Sequence, residues 1–526
     1  MTSAPIAVVT VTGAAADVFT VPFDTAQYAG TAQFYANQQS DLIAAGTAIP
    51  LVFAGGAAPT VAADKSLVLY DPAALPVVLP DTVPAALFTN ATGRTSITSG
   101  AANGDLIVSG TGGIDFTAGL GLFNLFAGSG DNNVSLAAGV GGGFMTLGNG
   151  NNTVNAIGGN NYIYTGTGNN LITLGIGVNE VSLAGTDTVL AGPGAAMVYG
   201  VKSMSDVVLF GSGNNVYSGV FLGGSSATVV SATGNDQVNG GLGGSIVYFA
   251  GSGNDQFHAG GTVVGGSGNL NVGPLNNILA SPVAGTLAFA GTGLTTSNFS
   301  IGAETIVGNA SGTTNVTLAG GSLMVFAEGT THIDSSNGVE TVIGINGALT
   351  VTGSSTALML GAPGGNNFLQ GGGSSTIFGA AGGDVLSLAP GFFTSHATLV
   401  GGSGAETLSG AGNMGTNTFF AATGPEFIQT GDWSTTVLTS TGAATLAGGA
   451  LGIALYGFVK DQHPDVVVQG FDPARHYLTL INYGTGEVAS ALAGATTTAG
   501  SEHVTLSDGT NITFQGFTGL TTASFL

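Results

Sequence analysis

The 526-residue chain contains no cysteine. Disulfides are therefore excluded, and so are zinc and iron–sulfur centres built on thiolates. Charge is nearly as scarce: Asp, Glu, Lys and Arg make up 6% of the residues, with 5 Lys and Arg against 28 Asp and Glu, a formal charge of -23 and a pI near 4.1. Nucleic-acid binding needs clustered cations, so that partner is excluded. The diffuse negative surface keeps a very apolar chain soluble and attracts divalent cations. No uninterrupted apolar run is long enough to span a bilayer, so no transmembrane segment is expected. The stretch MTSAPIAVVTVTGAAADVF has no basic residues ahead of its apolar ones and makes a poor Sec signal.

What is abundant is glycine, 93 residues, alongside 44% aliphatic and aromatic side chains. That hydrophobicity with so little charge excludes a disordered chain. Glycine costs roughly 1 kcal/mol per interior helical position, and the plentiful Val, Thr and Asn are weak helix formers. An all-β fold follows. Residues 1–90 stand apart: prolines cluster in LYDPAALPVVLPDTVPAALF (69–88), and TAQYAGTAQFYANQQSDLIAAG (25–46) is the best helix of the chain, with Tyr28, Phe34, Tyr35, Leu42 and Ile43 on one side. This segment reads as an N-terminal cap or docking module.

From residue 91 to 454 the sequence repeats. The units GSGDNNV, GNGNNTV, GTGNNLI, GSGNNVY, ATGNDQV and GSGNDQF place their second Asn or Asp at 132, 152, 170, 215, 236 and 255, so near neighbours differ by 20, 18, 21 and 19. Between them lie short β-branched runs such as GSIVYFAG. Strands bounded by glycine turns, too close together for helical crossovers, predict a parallel β-solenoid with one coil per repeat. At about 18 residues per coil and ~4.8 Å per strand, some 20 coils would make a rod about 95 Å long. Phe210, Phe249, Phe289 and Phe326 recur at about two coils and are expected to point inward and stack. Later units keep only Gly-x-[Asp/Glu]-x-apolar, as in GAETI, GVETV, GGDVL and GAETL, and the irregular spacing there implies a boundary near residue 290.

Three of the turns resemble the Gly-Gly-x-Gly-x-Asp-x-apolar-x nonapeptide of RTX (repeats-in-toxin) proteins: AGSGNDQFH (250–258), GAAGGDVLS (379–387) and GGSGAETLS (401–409) each depart from it once. The resemblance implies β-rolls that hold Ca²⁺ between turns through the aspartate and glycine carbonyls. Calcium wants ~6–8 oxygens, several of them anionic. The expected ligands are Asp236, Asp255, Asp384 and Glu406, with the backbone carbonyls of Gly234 and Gly253. Where asparagine replaces the aspartate, at 132, 152, 170 and 215, an amide ladder from coil to coil is expected instead.

Residues 455–526 resemble the C-terminal segment of RTX-type secreted proteins in PDVVVQGFDPARHYLTLINYG and EHVTLSDGTNITFQGFTGLTTASFL, although DVVVQGFD carries one residue more than the family spacing. Asp508-Gly509 is a hairpin signal on physical grounds alone. The resemblance implies an uncleaved signal read by type I export machinery, and thus a protein secreted to the surface or surroundings of a Gram-negative bacterium.

The six histidines, at 258, 332, 396, 463, 476 and 503, form no metal spacing, no Gly-x-Ser-x-Gly elbow occurs, and the Gly-x-Gly units do not open helices. An acidic-polysaccharide lyase or epimerase would want Lys or Arg in its groove, yet Lys202 is the sole one between Arg94 and Lys460. The expectation is a non-enzymatic structural protein that self-assembles into a surface layer or filament. The alternative is an adhesin for a cell-surface glycan or another surface. Threonines in TSITSG, TTHID and GTTNVTL do not recur at coil period, which argues against ice binding.

Overall fold

The computed structural model describes residues 7–12, 17–23, 26–137, 139, 141–200, 205–219, 226–241, 244–273, 285–299, 303–336, 338–353, 356–391, 396–449 and 451–526. The chain is an all-β parallel solenoid that divides into two compact units between Val263 and Val264. Each coil contributes one strand to each of two parallel sheets, I and II, so a strand pairs with the next but one along the chain.

In the first unit the coils begin at Ala48–Val52, which pairs in register with Ser66–Asp71 in sheet I. Alternation then divides every strand into an inward and an outward set. In sheet I, Ile107, Leu125, Met145, Ile163 and Val181 stack inward, each no more than 0% exposed. In sheet II, Phe116, Val134, Val154 and Ile172 do the same. Parallel pairing puts like beside like, so the core is a set of apolar columns and each coil closes only on its neighbours.

A hairpin (Ala7–Thr12 with Val18–Phe23) and a 19-residue helix, α1 (Ala26–Ala44), precede the coils. They cover the outer face of sheet I. Val68, Tyr70, Ala86, Phe88, Leu106, Val108 and Phe126 face outward there and are buried beneath Ala29, Ala32 and Ala36 of α1 and Val9, Val11, Val21 and Phe23 of the hairpin. Three alanines let the helix approach closely. Tyr28, Tyr35 and Ile43 pack against this cluster as expected, whereas Phe34 (59% exposed) and Leu42 face solvent. The Gln33 side chain donates to Thr10 O (2.8 Å) and accepts from Thr10 N (2.7 Å), acting as an extra strand partner for the hairpin edge.

In the second unit sheet I runs through Leu294–Phe299, Thr313–Leu318, Thr330–Ser335 and Leu349–Gly353, and sheet II through Thr286–Phe289, Ala303–Val307, Ser322–Ala327, Val339–Gly344 and Thr356–Leu360. The 11-residue strand Phe368–Phe378 then serves both sheets: Phe368 and Leu369 pair in sheet I, and Thr376, Ile377 and Phe378 in sheet II. Near the C-terminus Asn511–Gln515 pairs in parallel with Asp465–Gln469 and antiparallel with Ser501–Thr505, and Thr496–Thr498 adds a further antiparallel strand. The hairpin turns at Asp508-Gly509, where Gly509 has φ 95°, as the sequence predicts.

Two readings of the strands need correction. Phe249 (41% exposed) and Phe289 (38%) point outward, and Phe326 lies in the same outward register as Phe289; only Phe210 is buried. Each outward ring follows an inward neighbour, Tyr248, Ala288 or Val325, and alternation fixes the rest. Threonine does recur by coil: Thr305, Thr341, Thr376, Thr398, Thr418 and Thr436 share one outward column of sheet II. A fixed period misses it because the coils differ in length, from 17 residues between Met324 and Thr341 to 22 between Thr376 and Thr398.

Candidate functional site: the buried polar ladders

Where the glycine turns enter the strands, a polar side chain points inward in coil after coil. In sheet II of the first unit these are Asn132, Asn152, Asn170, Asp187 and Asp206, none more than 3% exposed. Asn132 donates Nδ2–H to Asn152 Oδ1 (2.8 Å), Asn152 to Asn170 Oδ1 (2.7 Å) and Asn170 to Asp187 Oδ1 (2.5 Å). The backbone N–H of each asparagine donates to the same oxygen. The amide also ties down its own turn, since Asn132 Nδ2 donates to Gly130 O (3.0 Å) and Asn152 Nδ2 to Gly148 O (3.1 Å). Those turns need φ near +136° at Gly150, a backbone region where only glycine is unstrained. An amide NH₂ thus takes up the glycine carbonyls that a cation in the turn would require.

A second ladder follows the other turn in sheet I. Asn161 donates to Asn179 Oδ1 (2.9 Å), and further along Asn215 donates to Asp236 Oδ1 (2.9 Å). Asp236 and Asp255, 1% and 2% exposed, continue it: Asp236 N donates to Asp255 Oδ1 (3.1 Å) and Gly251 N to Asp255 Oδ2 (2.9 Å). Ser231 Oγ donates to Asp236 Oδ2 (2.6 Å). Burial raises the Asp236 carboxyl above its ordinary range despite these donors. Gly234 and Gly253 stack turn on turn: a Cβ on Gly253 would collide with the Gly234 carbonyl, and one on Gly234 with that of Gly213.

In the second unit the same sheet I register holds Thr295, Thr314 and Thr331, then Leu349, Asn367, Asp384, Glu406 and Glu426. Asn367 Nδ2 donates to Asp384 Oδ1 (2.7 Å) and Ala380 N to Asp384 Oδ2 (2.8 Å). The glutamates, one methylene longer, reach back to their own turns: Gly402 N donates to Glu406 Oε2 and Ala422 N to Glu426 Oε1 (2.6 Å). Glu406 Oε1 and Glu426 Oε2 are buried without a hydrogen-bond partner. Burial pushes both carboxyls up to about 7. Glu304 in sheet II, buried and accepting from Thr286 N (2.7 Å), is also pushed up to about 7 by burial.

The predicted ligands therefore occupy two separate places, Asp236 with Asp255 in the first unit and Asp384 with Glu406 in the second. Among the described residues no group of three or more His, Cys, Asp or Glu side chains is arranged to hold a metal ion. At Asp236, Asp255 and Asp384 both carboxylate oxygens already accept N–H or O–H donors. This donor set suits a hydrogen-bonded turn cap better than the convergent oxygens of a calcium site. The free oxygens belong to Glu406 and Glu426; Glu426 is not among the expected ligands, although Gly424-Pro425-Glu426-Phe427-Ile428 keeps the Gly-x-Glu-x-apolar pattern of the later units. No helix among the described residues is long and apolar enough to cross a membrane. No family model matches the chain, and no curated protein matches it either.

Proposed function

We propose that this chain is a secreted, non-enzymatic structural protein of the cell surface or extracellular matrix, exported by a type I system and self-assembling into a layer or filament. The observation that carries this reading is where the buried polar groups go. Nearly every inward amide and carboxylate of the ladders bonds to the next coil or to its own turn, as Asn132, Asn152, Asn170 and Asp384 do. Polar side chains spent on coil-to-coil cohesion make a stiff scaffold, and the ladder groups among the described residues are committed to that cohesion rather than to an acid, base or nucleophile role. The RTX-like turns and C-terminal segment support export by the type I route. Calcium belongs in the proposal at the Glu406–Glu426 pair, where two buried oxygens lack partners.

Light scattering and electron microscopy of the purified protein, first in EDTA and then in millimolar calcium, test the reading. Ordered layers or filaments are expected. Dispersed monomers in both conditions would overturn it, and a monomer that binds on a glycan array would indicate an adhesin.

A further inference from the structure

The two faces of the second unit differ in chemistry. Sheet I turns Thr296, Asn315, His332 and the acid Asp334 outward, with Leu294 and Phe427 set singly among polar positions. Sheet II presents an unbroken apolar column from Phe289 to Leu438, one side chain per coil, in which Phe289 pairs with Val307, Val307 with Phe326, and Phe378 with Val400. Beside it runs the threonine column, interrupted only by Met324 and Leu358. None of the outward positions on these sheet II strands is Asp, Glu, Lys or Arg. Phe289, Met324, Leu358, Phe378 and Phe420 are each 37–41% exposed.

We infer that this charge-free outer face of sheet II in the second unit is a self-association surface that packs face to face against the same face of a second copy of the chain. The inference rests on the self-assembly reading and deepens it by naming the contact.

Three observations select a second copy as the occupant. The first is area. Nine strands at ~4.8 Å and two or three outward positions per strand ~7 Å apart give a strip about 40 Å by about 15–20 Å, on the order of 600–800 Å², within the range that a standard interface buries on each partner. The second is charge. Two molecules of net charge -23 repel wherever their carboxylates approach, and a face free of carboxylates is where like chains can meet; an anionic membrane would repel the rest of the molecule in the same way. The third is the fold's own precedent: the outward aromatic column of sheet I in the first unit, Tyr70, Phe88 and Phe126, is buried under a protein element rather than left bare. Two flat sheets of equal strand spacing interdigitate at about 10 Å separation, and a twofold axis makes one patch complementary to itself.

The test is sedimentation velocity across a concentration series on the full chain, comparing wild type with Phe378→Glu/Phe420→Glu and with Thr313→Glu/Thr317→Glu on the sheet I face as a control. The apolar-face double variant is expected to raise the dissociation constant at least tenfold, and the control to leave it within twofold. Because the chain lacks cysteine, Thr398→Cys gives a single nitroxide site, for which dipolar broadening on association is expected without depending on the charged variants folding. Wild type that assembles equally well as Phe378→Glu/Phe420→Glu, with no broadening at position 398, overturns the face and leaves the assembly reading standing. A wild type that is monomeric at every concentration overturns both, and a monomer whose label is immobilised only by vesicles or crystalline polysaccharide overturns the second copy as occupant.

Discussion

The two units solve the same construction problem with different residues. In the first, the rungs are largely asparagine, Asn132, Asn152, Asn170 and Asn215, and the apolar outer face of sheet I lies under α1 and its hairpin. In the second, the sheet I rungs are threonine and then Asn367, Asp384, Glu406 and Glu426, and the apolar outer face of sheet II lies bare. An asparagine both donates and accepts, so it relays a bond from coil to coil at no charge cost. A carboxylate accepts only, and must find N–H donors or take up a proton. The asparagine rungs therefore hold at any pH, whereas the carboxylate rungs, Asp187 and Asp236 in the first unit and Glu406 and Glu426 in the second, all raised by burial, couple the interior to protonation.

Breaking an amide rung should have the largest effect. Asn152→Leu removes the acceptor used by both Asn132 Nδ2 and Asn132 N, and the donor to Asn170 and Gly148. Asn132 Nδ2 keeps Gly130 O and Asn170 Oδ1 keeps the backbone N–H of residue 152, but the Asn132 N–H and the Gly148 carbonyl lose these partners, at about 1–3 kcal/mol for each unsatisfied group. A loss of about 4 kcal/mol is expected by urea denaturation followed by circular dichroism; a loss under 1 kcal/mol would show that the ladder is ornamental to stability.

The carboxylate rungs should respond to pH in the opposite sense from ordinary salt-bridged acids. Glu304, Glu406 and Glu426 have carboxyls raised from 4.5 to about 7. Between those values the folded state holds protons that the unfolded state has released, so stability is fullest below pH 4.5 and falls as pH rises to about 7. Each group contributes on the order of 1–3 kcal/mol to that fall. Glu426→Gln removes its share and is expected to stabilise the protein by about 1–2 kcal/mol at pH 8 with little change at pH 4. Denaturation midpoints at the two pH values in EDTA check this; with millimolar calcium restored, the ion proposed at this pair should reverse the sign at pH 8, and a Gln variant destabilised in EDTA as well would overturn the burial argument.

The amide ladder and the solenoid were legible because their signal is local: Gly-x-Gly-Asn-Asn fixes both the turn and the residue that enters the core. Where that residue is present it also fixes the phase of the strand. Glu304 faces inward, so Ile306 does as well, and Thr305 and Val307 face out. The strand Ser322–Ala327 has Leu323 at the ladder position, and nothing in SLMVFA distinguishes the two phases; taking Phe326 as core by size alone gave the wrong face. Variable coil length hid the threonine column. The asparagine turns revealed their ladder, but that Asp236, Asp255 and Asp384 serve as rungs too was not legible, since a carboxylate beside glycines reads equally as a cation ligand and as an acceptor for main-chain N–H.

The contrast between covered and bare apolar faces predicts a smaller effect. Tyr35 of α1 meets Phe126 at 5.4 Å between ring centroids, so Tyr35→Ala should cost about 1–2 kcal/mol through lost apolar burial. Phe378→Ala, on the bare face, should leave monomer stability within about 0.5 kcal/mol. Thermal melts at low protein concentration distinguish the two. Equal losses would mean that Phe378 is packed within its own chain, and the difference between the faces would vanish.

The smallest effect concerns the polar end of sheet II in the first unit, the counterpart of the bare face. There the outward positions are Ser96, Thr98, Asp115, Asn133 and Ser135, and Arg94 bridges Asp115 by two bonds (2.6 and 2.8 Å) and donates to Asp131 O (2.7 Å). The guanidinium holds the Asp115 carboxyl below its ordinary range, so this stabilisation is present at neutral pH and is lost as pH falls through the lowered value. Both partners are largely solvated, and exposed pairs are worth about 0.2–1 kcal/mol. Arg94→Ala should therefore cost about 0.5 kcal/mol in low salt and less in 1 M salt, where the Debye length falls to about 3 Å. Its larger consequence should be for contact between molecules. The variant leaves Asp115 uncompensated on the outer face of sheet II, in a chain already at -23. If association uses the carboxylate-free strands of the second unit, sedimentation of the variant should match wild type; weakened association would place the first unit's sheet II in the contact as well.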